Sequence, residues 1–169
     1  GFIESKDMNR FEALNVVADL SPYIWSPSPI IDSVITAVGK ERGEEYWPIK
    51  TMLASGAAVL SGSDWPAAVA TMNPWPGIES MVTRQDPRAQ YPGKLWPEQA
   101  ISINQALRIF TRGNALALKK GNLTGAIEVG KSADMIALNQ NLFEVPANDI
   151  SETRVLKTWF SGRVVYSAH

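Results

Sequence analysis

Apolar residues fall along this chain in two kinds of stretch. The first is short and nearly unbroken, as in "VVADLSP" (16–22) and "AAVLSGSDWP" (57–66). The second repeats at helical spacing. In "SKDMNRFEAL", Met8, Phe11 and Leu14 share a face, Ser5 is placed as an N-cap, and Asn15 can stop the helix. "EEYWPIKTMLAS" reads the same way, with Gly56 marking its C-terminus. Two helix-then-strand units of this kind predict parallel strands covered on both faces. Asp19 interrupts the first strand, and Pro22 ends it. Between the strands, "SPYIWSPSPI" holds too many prolines for a helix interior. "IDSVITAVGKERG" then reads as a short helix leading into a polar turn.

The pattern changes after residue 66. "TMNPWPGIESMVTRQDPRAQYPGKLWPEQ" reads as a long connection, and its aromatic side chains Trp75, Tyr91 and Trp96 argue against disorder. A helix comes next. Ser102 and Gln105 form a capping box, and Ile103, Ala106, Leu107 and Phe110 share a face. "TRGNALALKKG" reads as a second helix, capped at Thr111 and closed by Lys119, Lys120 and Gly121. From residue 122 onward the pieces are short and β-prone. "GAIEVGKSADMIAL" holds a turn at "EVGKSAD", and "RVLKTWFSGRVVYSA" reads as a hairpin turning at Ser161-Gly162. The expected division is residues 1–121 and 122–169.

Composition narrows the function classes. The chain has 169 residues, 45% hydrophobic and 20% charged, as a globular protein does. A formal net charge of −1 gives no electrostatic footprint for nucleic acid. No apolar run approaches the roughly 20 residues that span a bilayer. The start, "GFIESKDMNR", lacks the form of a signal peptide, so the compartment stays open with a cytoplasmic location as the expectation. There is no cysteine, and the one histidine is His169, so this chain alone cannot build a histidine-rich metal site.

The candidate chemistry centres on Asp64. Aspartate is a favoured N-cap and proline is favoured early in a helix, so Asp64 can simply cap the next helix. It can equally stand where a barrel strand opens into an active site. Trp65 and Trp25 come after strand ends and can line an apolar substrate pocket or merely pack. Arg84 can hold a substrate carboxylate by a bidentate pair, or form a salt bridge between parts of the fold. Asn122-Leu123-Thr124 has the form of a glycosylation sequon without a secretory context.

Four stretches in order carry a resemblance. "LTGAIEVGKSADMIAL" and "VLKTWFSGRVVY" resemble the C-terminal signature of the amidohydrolase superfamily. "GAAVLSGSDWP" looks like the eighth strand of its barrel, and "MVTR" with "ISINQALRIFT" and "NALAL" resembles the branch called amidohydrolase family 3. The resemblance implies an α/β fold: the C-terminal part of a (β/α)₈ metal-dependent hydrolase barrel plus strands of a small composite β-sandwich. "VVADLSP" and "GAAVLSGSD" would be strands seven and eight. It implies a divalent metal, zinc first, with most ligands in a missing N-terminal part of the same protein. Asp64 would ligate that metal and act as proton acceptor in hydrolysis of an amide or other C–N bond in a small molecule. Lys131 and Asp134 would fix a turn.

Two alternatives remain at this point. One is a non-catalytic binding or structural domain. The other is a superfamily hydrolase acting on an ester or a cyclic imide, or deaminating a base. A piece of a closed barrel would leave strand edges bare, so the 169 residues alone are expected to aggregate, form a homo-oligomer or require the rest of the protein.

Overall fold

The computed structural model describes residues 1–67 and 69–168; Ala68 and His169 lie outside the described residues. A 3₁₀ turn at Ser5–Asp7 precedes α1 (Arg10–Ala13), which leads into β1 (Val17–Leu20). Asn15 stops α1 as expected, taking the left-handed conformation at φ 51°. Next come α2 (Pro29–Val38), α3 (Lys40–Glu44) and α4 (Ile49–Ala54), then β2 (Ala58–Ser61). The prolines of the 21–30 stretch sit where proline is tolerated, Pro29 opening α2 behind the cap Ser28. The polar turn expected after α2 is instead the short helix α3.

β1 and β2 pair in parallel, with Val17 opposite Ala58 and Leu20 opposite Ser61. Their side chains alternate. Ala18, Leu20, Val59 and Ser61 are buried, while Val17, Asp19 and Ala58 are exposed. Within this chain the pair is therefore covered on one face only, not on both. Asp19 fits the strand because it belongs to the bare face. The core on the covered face is built from Trp25, Ile49, Met52, Ile78, Met81 and Ala106.

The long connection holds an unexpected helix, α5 (Pro74–Thr83). Prolines mask it in the sequence, but Pro74 and Pro76 lie in its first turn, where no intrahelical N–H is lost. Asn73 caps it by accepting the Trp75 N–H at 3.2 Å. α6 (Ile103–Arg108) begins with the expected capping box: Gln105 N–H donates to Ser102 Oγ, and Ser102 N–H donates to Gln105 Oε1 at 3.0 Å. It does not break at Thr111. A π-helical segment (Ile109–Gly113) carries it directly into α7 (Asn114–Ala117). The Thr111 hydroxyl donates back to the Leu107 carbonyl at 2.7 Å and caps nothing. The run ends in a Schellman turn closed by Lys120 N–H to Ala115 O at 2.7 Å, with Lys119, not Gly121, in the left-handed position.

β3 (Met135–Leu138), β4 (Val155–Phe160) and β5 (Arg163–Ser167) form an antiparallel sheet in that order. The hairpin turn has Ser161 at φ 50° and Gly162 at φ 76°, the primed geometry that matches strand twist. The "GAIEV" piece forms no strand. Asp134 binds this region together by accepting the Ser161 N–H at 2.8 Å and the Ser132 and Thr124 hydroxyls. These donors hold its carboxyl below the usual range, the Ser161 amide most. Phe160, Val164, Val165 and Tyr166 stay exposed on the hairpin. The sheet region is tied to α5 by Glu79, whose carboxylate accepts the Ser151 N–H at 2.7 Å across a 3₁₀ segment (Ala147–Glu152).

Candidate functional site

The C-terminal ends of β1 and β2 lie side by side, and the chain leaves each in a long excursion. Gly62 N–H still donates to the Leu20 carbonyl at 3.2 Å, and the Ser61 hydroxyl donates to the same oxygen at 3.1 Å. Three residues past β2, Asp64 takes a left-handed backbone at φ 56°, a conformation that aspartate tolerates better than most residues. Its side chain is exposed. Its own carbonyl accepts the Ala67 N–H at 2.8 Å in a turn, and Trp65 N–H donates to Ser63 Oγ at 3.1 Å. No donor reaches the Asp64 carboxylate among the described residues. No helix begins there either; the next among the described residues is α5 at Pro74. The N-cap reading therefore lacks a helix to cap. Asp64 is left as an unclaimed carboxylate at the mouth of a parallel strand pair.

A cleft of about 710 Å³ is lined by the same excursion from Pro66 onward; Asp64 and Trp65 are not among its lining residues. Tyr23 and Ile24, from the excursion after β1, form one wall. Pro66 and Thr71, after β2, line it as well, as do Ser80 and Tyr91. Tyr23 ties the two excursions together, its hydroxyl donating to the Asn73 carbonyl at 2.6 Å. Burial pushes its phenol up to about 12, so it remains a donor throughout the ordinary pH range. A Cβ on Gly77 would stand 3.0 Å from the Tyr23 ring, so Gly77 lets α5 pack tightly against it. Trp65 is 51% exposed on the same excursion as Asp64.

Trp25 and Arg84 are placed otherwise than a substrate role requires. Trp25 is completely buried and stacks on Trp47 at 5.8 Å between ring centroids. Arg84 is also completely buried, at the left-handed C-cap of α5. Its Nε donates to the Leu95 carbonyl at 2.7 Å and one terminal nitrogen to the Tyr46 carbonyl at 2.8 Å. Its guanidinium lies 5.5 Å from the Trp25 ring centroid. Burial lowers its pKa to about 10. Arg84 spends Nε and one terminal nitrogen on backbone, its other terminal nitrogen and the Trp25 indole N–H have no partner among the described residues, and the Trp25 ring packs on Arg84 and Trp47. In this structure neither presents a face to a substrate carboxylate or an apolar ligand, and their burial favours packing roles for both.

Among the described residues, no group of three or more histidine, cysteine, aspartate or glutamate side chains could together hold a metal ion. No helix is long and apolar enough to cross a membrane among the described residues. Sequence reasoning missed Tyr23 and Asn114, both of which act on backbone far along the chain; no local motif announces such contacts.

The chain is 32% identical to Protein LONG AFTER FAR-RED 3 of Arabidopsis thaliana over 94% of its own length and 26% of that protein's. It is 30% identical to the N-substituted formamide deformylase of Arthrobacter pascens, over 74% of this chain and 23% of the enzyme. It therefore spans about a quarter of the length of these curated relatives. Among solved structures it resembles an adenosine deaminase from Xanthomonas campestris with bound zinc. The TM-score is 0.68 at 16% identity, covering 98% of this chain and 35% of that one. At that identity the likeness concerns the fold alone: an α/β arrangement consistent with part of a metal-dependent hydrolase. The sequence model of the amidohydrolase family matches residues 1–166, nearly the whole chain, and the chain accordingly belongs to the amidohydrolase family.

Proposed function

We propose that this chain is the C-terminal portion of a metal-dependent hydrolase that cleaves a C–N bond other than a peptide bond in a small molecule. In this reading residues 1–121 supply the last two strands of a (β/α)₈ barrel, β1 and β2, and residues 122–169 supply part of a β-sandwich. Asp64 carries the reading: an exposed carboxylate, free of protein donors among the described residues, at the C-terminal end of a parallel strand pair.

The donor chemistry fits a divalent metal. A carboxylate oxygen suits zinc or another divalent ion, and no donor among the described residues competes for it. The other ligands would come from elsewhere in the protein, since the described residues hold no further cluster. When bound, the metal supplies Lewis acidity and a nucleophilic water near neutral pH. Asp64 would hold it through one carboxylate oxygen. The other oxygen would accept the proton as water adds to the substrate carbon, then deliver it to the leaving nitrogen as the C–N bond breaks. The cleft that begins at Pro66, two residues past Asp64, would take the substrate, with the Tyr23 bond keeping both excursions in place.

The test uses the complete polypeptide that contains this chain. Wild type and Asp64→Asn are compared for metal content and for turnover of an N-substituted formamide and of adenosine, the substrate types named for two relatives. The expected result is bound metal in wild type, its loss in the variant, and a fall in kcat of roughly 10²–10⁴-fold with folding kept. Equal metal content and equal turnover in Asp64→Asn would overturn the proposal.

A further inference from the structure

The helical run behind β2 makes an unusual contact with it. Backbone groups along a strand point alternately to its two neighbours. Gly62 N–H points to β1, where it meets the Leu20 carbonyl. The backbone groups of Ser61 point the other way, to the edge of β2 that β1 does not cover. There the Asn114 side chain takes both of them. Ser61 N–H donates to Asn114 Oδ1 at 2.8 Å, and Asn114 Nδ2 donates to the Ser61 carbonyl at 2.8 Å. One carboxamide thus makes the pair of bonds that an adjacent strand would make at this rung.

The helix is shaped for the contact. The π-helical segment ends at Gly113, immediately before Asn114. The extra residue per turn in such a segment rotates the rest of the helix, and π-segments gather at functional places. A Cβ on Gly113 would stand 2.7 Å from the Val59 carbonyl oxygen, so the helix backbone approaches this edge as closely as glycine permits. Ser61 is thereby fixed on both sides: by Asn114 at one edge and by the Ser61 hydroxyl and Gly62 N–H on Leu20 at the other. Asp64 stands three residues further on.

We infer that Asn114 is a positioning residue: its carboxamide stands in for a neighbouring strand at the last rung of β2 and fixes the direction in which the chain leaves toward Asp64. The inference rests on the proposed role of Asp64 as metal ligand. Asn114 touches neither metal nor substrate and acts only through the strand end.

The test is a Zn²⁺ titration of the metal-free complete polypeptide, by competition with a chromophoric chelator, together with the pH profile of turnover. The variants are Asn114→Ala, Asn114→Asp and Asp64→Asn, with Ile150→Val as a core control far along the chain. Asn114→Ala is expected to weaken Zn²⁺ binding by roughly tenfold or more, the size seen when groups supporting a metal ligand are removed. It should also displace the acid limb of the pH profile. The core control should lose thermal stability without either change.

Asn114→Asp keeps an acceptor for Ser61 N–H but loses the donor to its carbonyl; it should weaken Zn²⁺ binding in the same way, and it serves if Asn114→Ala does not fold. Zn²⁺ affinity and pH profile equal to wild type in a folded Asn114 variant, with Asp64→Asn still losing the metal, would overturn the positioning role alone. Unchanged affinity in Asp64→Asn would overturn the proposed function and this inference with it.

Discussion

Truncating Arg84 to alanine in the complete polypeptide separates a structural arginine from a substrate-binding one. The guanidinium is fully buried and serves two backbone carbonyls, those of Leu95 and Tyr46. Each carbonyl left without a partner costs about 1–3 kcal/mol. Removing so large a buried side chain adds about 2–5 kcal/mol in lost packing. Loss of the charge over the Trp25 ring, 5.5 Å away, adds about 1 kcal/mol.

Relief of desolvation opposes these terms. Burial takes the Arg84 pKa from 12.5 to about 10, and at about 1.4 kcal/mol per unit that returns on the order of 3 kcal/mol. This cost is fully present below about pH 10, where folded and unfolded chains are both charged, and it is relieved only above that. The balance at pH 7 is a net loss of about 2–9 kcal/mol, dominated by the stranded carbonyls and the void. Urea unfolding at pH 7 measures it. A loss below about 1 kcal/mol, joined to a raised KM for a substrate bearing a carboxylate, would refute the structural role.

Two acids should shape the pH dependence of stability in opposite directions. Burial raises the Glu79 carboxyl in the folded protein, and Asp149 and Glu152 add to the shift. The folded state then binds the proton more tightly, so stability falls as pH climbs from the ordinary glutamate range through the raised value. Glu79→Gln keeps an acceptor for Ser151 N–H and cannot ionise; it should be more stable than wild type above that window and lack the decline. Melting curves from pH 4 to 8 check this, and identical profiles would count against it. Asp134 is held low by the Ser161 amide and the Ser132 and Thr124 hydroxyls. Its contribution is present above the ordinary aspartate range and is lost as pH falls through its depressed value. Asp134→Asn should lower the melting temperature at pH 7 and converge on wild type in acid; a constant offset would contradict the role.

The parts of the fold legible in the sequence are those that local chemistry dictates. The two short apolar strand segments, the Ser102–Gln105 capping box and the Ser161-Gly162 turn each show in residues a few positions apart, although the strands pair across 41 residues. α5 is hidden because its prolines, in the first turn, look like breakers when helix position is unknown. Thr111 and Gly121 mislead for a related reason: the π segment joins two helical patterns that look separate, and a lysine takes the left-handed site that glycine usually fills. At the site, Asp64 stands out because an acid ends an apolar strand. Trp25 and Arg84 do not reveal their burial, since their partners Tyr46, Trp47 and Leu95 are remote in sequence or carry no distinguishing signal. The Asn114–Ser61 pair spans 53 residues and has no local signature at all.

The role of Asp64 as a metal ligand is tested most directly by an anomalous-difference map at the zinc edge, from crystals of the complete, Zn²⁺-loaded polypeptide. A peak about 2.0–2.2 Å from an Asp64 carboxylate oxygen, at the mouth of β1 and β2, is the predicted result. A zinc peak bound without Asp64, with that carboxylate still turned to solvent, would contradict it.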